Sequence, residues 1–203
     1  MRSTIFVPVL ATLAAAQSQY TTRSPDFHLV VFSATNETIN NTALVACHEG
    51  AAIEGFCRGP KLPDTSGYGT NFYFNTSSEN TVPGAANIPG ILSYDLVIAD
   101  NQTVPSSMNV ASTLVSNVAV PVIYPGTSSA YEVYFDEADE LYVLSWRDDT
   151  VDPAVSKEER LKQWYICTTY YSYTYVTLAW VIGKGVNPQN PTCQKVTVKR
   201  VWV

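Results

Sequence analysis

The sequence predicts an all-β fold: a single-domain β-sandwich of jelly-roll type carrying one short helix, with a β-trefoil as the alternative. Three observations carry this reading. Short runs rich in valine, isoleucine and aromatic residues recur along the chain, separated by Asn, Asp, Gly, Pro and Ser. Several runs alternate large apolar with polar residues, the period of a half-buried strand. No repeat, linker or low-complexity tract divides the 203 residues, so one domain behind a leader is the simplest account.

The leader is MRSTIFVPVLATLAAAQSQY. Arg2 supplies a positive start, residues 5–16 are apolar or small apart from Thr12, and Ala14 and Ala16 fit an A-x-A cleavage site. The run is a secretory signal peptide, too short for a spanning helix. Cleavage after Ala16 leaves a secreted domain of residues 17–203. No later segment approaches the ~18 continuous apolar residues of a membrane span.

The strands follow in order. FHLVVFSA (27–34) alternates and ends in polar turn residues, NFYFNTS (71–77) is short and aromatic, and GILSYDLVIAD (90–100) stops at Asp-Asn. SNVAVPVIYPG (116–126) is apolar but holds Pro121, which belongs on an edge or at a bulge. YEVYFDEADELYVLSW (131–146) reads as a hairpin turning at 136–139. QWYICTTYYSYTYVTLAWVIGKG (163–185) is too long for one strand and turns near Tyr171 and Ser172; CQKVTVKRVWV (193–203) closes the domain. The helix is expected after Pro153, where Ser156 and Glu159 stand as a capping box.

Composition bounds the function. The formal net charge is −6, and −7 once Arg2 leaves with the leader, which argues against nucleic acid and anionic membranes. Four N-x-S/T sequons, at Asn36, Asn40, Asn75 and Asn101, mark candidate glycosylation sites. In an exported chain, Cys47, Cys57, Cys167 and Cys193 form two disulfides in one of three pairings. The pairing Cys47–Cys57 with Cys167–Cys193 is favoured. A continuous helix would hold positions 47 and 57 about 15 Å apart, whereas a disulfide needs α-carbons within about 7 Å. The segment must therefore turn back, with Gly50 and Gly55 as hinges.

That segment, ACHEGAAIEGFC, also begins like a zinc-hydrolase motif. H-E-x-x-H needs a second histidine where Ala52 stands. A set of His28, His48 and Glu49 could be assembled only through the fold, and a structural His48 hydrogen-bonded under the disulfide loop is the expectation. An amino-terminal copper site fails because the predicted new end is Gln17. No G-x-S-x-G elbow is present. No metal and no cofactor is expected.

Paired carboxylates are the remaining enzymatic option. Eight of the eighteen acids fall between Glu132 and Asp152, a run that reads first as solvated turns. The aromatic stretch offers a binding surface. Alternation places Trp164, Ile166, Thr168 and Tyr170 on one face and Tyr165, Cys167, Thr169 and Tyr171 on the other. Tyr170, Tyr171, Tyr173 and Tyr175 are the candidate contacts, since exposed rings stack on sugars or anchor a partner.

The segments FHLVV, ACHEGAAIEG, SNVAVP, WYICTTYYSYTYVTLAWVIGKG and QNPTCQKVTVKRVWV together resemble a family of small secreted ascomycete fungal proteins catalogued as a domain of unknown function. The resemblance implies a fungal extracellular protein and brings no activity, cofactor or catalytic residue. The expected function is non-catalytic binding of a glycan or an extracellular protein at a cell wall or host surface. The alternative is a glycan-active hydrolase using two carboxylates, from the acidic hairpin or from Glu49 and Glu54.

Overall fold

The computed structural model describes residues 19–65, 69–80 and 82–203. The signal peptide expected over residues 1–16 lies outside them.

Fifteen strands and one 3-10 turn (Ala99–Asn101) make up the regular structure among these residues. The strands are β1 (Tyr20–Arg23), β2 (Phe27–Phe32), β3 (Thr42–Gly50), β4 (Ile53–Lys61), β5 (Tyr73–Ser77), β6 (Gly90–Val97), β7 (Thr103–Ala111) and β8 (Val118–Pro125). They continue with β9 (Glu132–Phe135), β10 (Leu141–Asp148), β11 (Val155–Leu161), β12 (Trp164–Tyr170), β13 (Thr174–Val181), β14 (Gln194–Lys195) and β15 (Thr197–Trp202). All join one sheet, whose main path runs β11-β10-β9-β6-β7-β8-β13-β4-β3-β2-β15. The pairings between these strands are antiparallel.

The sheet curls back on itself. An antiparallel bridge joins Glu140, just before β10, to Lys199 on β15. The Arg200 amide then donates to the Asp139 carbonyl at 3.0 Å. Curling encloses the main core, built from residues such as Phe27, Phe56, Phe74, Phe135 and Trp164, and a smaller cluster of Val118, Cys167, Ala179 and Val181 packs separately. Phe27 and Phe74 both meet Phe135 edge-on, at centroid distances of 5.5 and 5.2 Å, the geometry that ring quadrupoles favour.

The hairpin predicted at 131–146 forms as β9 and β10, and its turn holds Asp139 at φ 60°. Pro121 lies on neither edge nor bulge. It sits in β8, between β7 and a second side where the ladder changes partner. Val118 and Ala119 pair with β13, and Val122 and Ile123 pair with β4. A proline costs least where one ladder has ended and the next has not begun.

The predicted helix is absent. Residues 155–161 form β11, pairing Val143 with Leu161 and Asp148 with Val155. The capping-box pattern marks a start, but no apolar stripe follows at helical spacing, so a helix there would bury little. As a strand, the segment satisfies its amides on β10 and packs Leu161 against the core.

The disulfides join Cys47 to Cys57, with α-carbons 5.8 Å apart, and Cys167 to Cys193, at 4.1 Å. The Cys47–Cys57 segment is a hairpin, not an open loop. β3 and β4 pair from Thr42↔Lys61 to Gly50↔Ile53, with Ala51 and Ala52 at the tip. Gly50 and Ala52 take the turn, at φ 153° and 58°. Gly55 is no hinge; it lies within β4.

Candidate functional site at the tyrosine hairpin

β12 and β13 pair in register from Trp164↔Trp180 to Tyr170↔Thr174, and the chain turns over residues 171–173. The predicted alternation holds. Trp164, Ile166, Leu178 and Trp180 enter the core. Thr168 and Tyr170 continue that face beyond the core, and Tyr170 is 73% exposed. The other face carries Cys167, Thr169 and Thr177, all buried. The Thr169 and Thr177 hydroxyls, 2.6 Å apart, satisfy each other there.

The tip gathers the tyrosines predicted as contacts. Tyr171 is half-buried, and its hydroxyl shares a hydrogen bond with that of Tyr124 on β8. That bond, with burial adding to it, pushes the Tyr124 phenol up to about 12. Tyr173 is 48% exposed. Its ring lies 5.7 Å from His48 and 6.1 Å from Tyr175, tilted against both. Three rings thus stand in a row, with Tyr170 projecting from the other face of the hairpin.

Beneath the turn lies Glu49, which no sequence signal singled out as the buried member of its pair. It is fully buried, and its Oε2 accepts the backbone amides of Ser172 and Tyr173 at 3.4 and 3.3 Å. Its Oε1 has no hydrogen-bond partner among the described residues. Space for this side chain comes from Gly55, where a Cβ would stand 2.9 Å from Glu49 Cγ and 3.3 Å from Cys47 Sγ. The disulfide and the glycine together form the floor on which the carboxylate rests.

His48 reverses the expectation placed on it. It is exposed beside Tyr173, and its neighbour Glu49 is buried instead. Successive strand residues point to opposite faces, and at this end of β3 the covered face is the one that carries Glu49. Glu54 follows His48 across the ladder and lies on the face opposite Gly55. Burial pushes its carboxyl up, His48 opposes that, and Glu49 adds to it. His28 lies elsewhere, buried on β2 with Nδ1 3.0 Å from the Thr70 carbonyl oxygen. Among the described residues no three His, Cys, Asp or Glu side chains converge as a metal site.

The acidic hairpin is a structural clasp. Lys162 Nζ reaches Asp136 Oδ2 at 2.5 Å and Glu140 Oε2 at 2.6 Å, and Lys199 meets Glu140 Oε1 at 3.0 Å. Burial alone would raise Asp136, but Lys162 and the amides of Glu140 and Ala138 outweigh it and hold the carboxyl low. Lys162 likewise holds Glu140 low against its burial. The sequon asparagines fall in different settings. Asn101 is exposed in the 3-10 turn, Asn36 and Asn40 are half-buried before β3, and Asn75 is half-buried within β5.

Fold and tip define a class: an all-β domain, stapled by two disulfides, that presents tyrosines on a hairpin pinned from below. The chain belongs to the family described as Domain of unknown function (DUF7907), which matches residues 24–202. No curated protein matches the chain, and neither does any solved structure.

Proposed function

We propose that this is a secreted, glycosylated, non-catalytic binding protein that engages a glycan or an extracellular protein at a cell wall or host surface. The observation that carries the reading is the tip itself: exposed Tyr170 and Tyr173 on a turn fixed by Glu49 and by the Tyr124–Tyr171 bond. Aromatic residues held outward, with their turn ordered in advance, lose little freedom on binding. Two disulfides are compatible with an extracellular location.

A hydrolase finds less support. At the hairpin turn, Asp136 and Glu140 are held by lysines, and Glu137 and Asp139 by Arg160 and Arg200, so none of the four is a free proton donor. Glu54 is pushed up as a general acid requires, but Glu49 is sealed beneath the turn against the opposite face of β4.

The test is a glycan array read with the intact protein, its Tyr170→Ala and its Tyr173→Ala variants. Both side chains are exposed, so the variants should melt like the parent. Binding should fall roughly tenfold or more for at least one of them, the scale of an aromatic anchor. Undiminished binding in both variants removes the tip from the site. Absence of any glycan signal leaves a protein as the partner, to be sought with the same variants.

A further inference from the structure

β8 and β12 both send alternate residues to the face that carries the smaller apolar cluster. Val118 and Cys167 belong to that cluster. Alternation along β8 through Val120 and Val122 brings the same face to Tyr124, and along β12 through Thr169 it reaches Tyr171, where the turn begins. The two phenols meet there, and their hydroxyls share a hydrogen bond across 47 positions of chain. The ortho carbons of a phenol flank the carbon that bears its oxygen. A hydroxyl-to-hydroxyl contact therefore sets the ortho carbons of the two rings beside each other. Both rings are half-buried, within reach of solvent but restricted by the fold. Tyr134 and Tyr142 also stack, at 5.2 Å, but at 6% and 2% exposure they are sealed from any reagent.

The surroundings leave these phenols open to oxidation. All four cysteines are in disulfides and Met108 is fully buried, so among the described residues no free thiol and no exposed thioether competes for an oxidant. Exposed Tyr170 and Tyr173 flank Tyr171 along the turn. Electron exchange between neighbouring phenols carries an oxidising equivalent inward from them.

We propose that Tyr124 and Tyr171 are a site of oxidative phenol coupling, at which a one-electron oxidant of the peroxidase class, using hydrogen peroxide, joins their ortho carbons into a dityrosine staple between β8 and the hairpin turn. One electron and one proton leave either phenol and give a phenoxyl radical. A hydrogen atom passes along the shared hydrogen bond, so the radical belongs to the pair. A second one-electron oxidation leaves two radicals in contact. One carbon–carbon bond forms between ortho positions. Each of those carbons then releases its hydrogen as a proton, and each oxygen regains one as the rings become aromatic again. The two hydrogens lost overall reduce one hydrogen peroxide to two waters. The turn that Glu49 supports from below is then held covalently from its side as well. The chemistry needs only the geometry of the pair, so it does not depend on what the tip binds.

The experiment treats the folded secreted protein with a haem peroxidase and limiting hydrogen peroxide. Size exclusion separates monomer from cross-linked species, and dityrosine fluorescence and mass spectrometry of proteolytic peptides read each fraction. The monomer should gain fluorescence and yield a peptide pair joined through Tyr124 and Tyr171, two hydrogens lighter than its parts. Tyr171→Phe and Tyr124→Phe should each lose that pair, and Tyr173→Phe should keep it. If a phenylalanine variant fails to fold, the peptide map of the parent decides alone. A monomer without dityrosine overturns the proposal. So does coupling that joins only other tyrosines, such as Tyr173 to Tyr175, whose rings lie 6.1 Å apart, or only separate molecules through Tyr170. Any of these results leaves the binding function of the tip standing, since that rests on exposed rings and not on the link.

Discussion

Glu49 exchanges water for two long amide contacts and keeps one carboxylate oxygen without a donor. Such a group costs stability, and the turn above it gains order in return. Glu49→Gln preserves shape and acceptor while removing the carboxylate, so it should raise stability by about 1 kcal/mol. Gly55→Ala should lower it by about 1–3 kcal/mol, because the new methyl meets Glu49 Cγ at 2.9 Å against a disulfide that cannot move aside. Urea denaturation measures both. A neutral Gly55→Ala would mean that Glu49 has room to swing out, and the turn would then have no fixed support. ACHEGAAIEGFC displays a histidine, two glutamates and two glycines, but burial is decided by strand phase. That phase becomes fixed only when β3 and β4 pair.

At the scale of elements, the strands visible in the sequence are those that bury large side chains. FHLVV, GILSYDLV and WYICTTY all announce themselves, and the turn at 171–173 lies where the aromatic run becomes too long. β7 does not: Thr103–Ala111 reads TVPSSMNVA, mostly small and polar, and it becomes a strand through ladders with β6 and β8 on either side. β11 misleads in the opposite sense. Its lysine, glutamates and arginine favour a helix locally, and pairing with β10 overrides them. Those charges have a use at this position. β11 ends the sheet path, with one side unpaired among the described residues, and Lys157, Glu158 and Arg160 are exposed there. Charged residues on an open edge oppose its pairing with another chain. Replacing Lys157, Glu158 and Arg160 together by valine should leave the fold intact and promote concentration-dependent association. Light scattering across a dilution series checks this; a strictly monomer-like response equal to the parent's would show that the charges do not guard the edge.

For the molecule as a whole, the decisive step is the closing of the curled sheet, and nothing local in the sequence announces it. Asp139 and Arg200 are 61 positions apart, yet Arg200 Nε reaches Asp139 Oδ1 at 2.7 Å with its guanidinium over the rings of Phe135 and Trp202. Lys162, between β11 and β12, clasps the same turn through Asp136 and Glu140. Both carboxyls are held below their ordinary values, so the folded state binds protons less readily than the unfolded chain. The seam therefore contributes fully above the unfolded pKa values of roughly 3.9 and 4.3, and its contribution is lost as pH falls through and below them. Stability should be level from neutral pH to about pH 5 and decline steeply below that. Lys162→Met should remove much of this acid dependence. At pH 7 it should cost about 1–2 kcal/mol, less than a fully buried pair would, because the ammonium is about a third exposed. Urea midpoints from pH 7 to pH 3 measure both effects. Parallel curves for parent and variant would show that Lys162 does not hold the turn, and that Lys199 and Arg200 of β15 close the sheet without it.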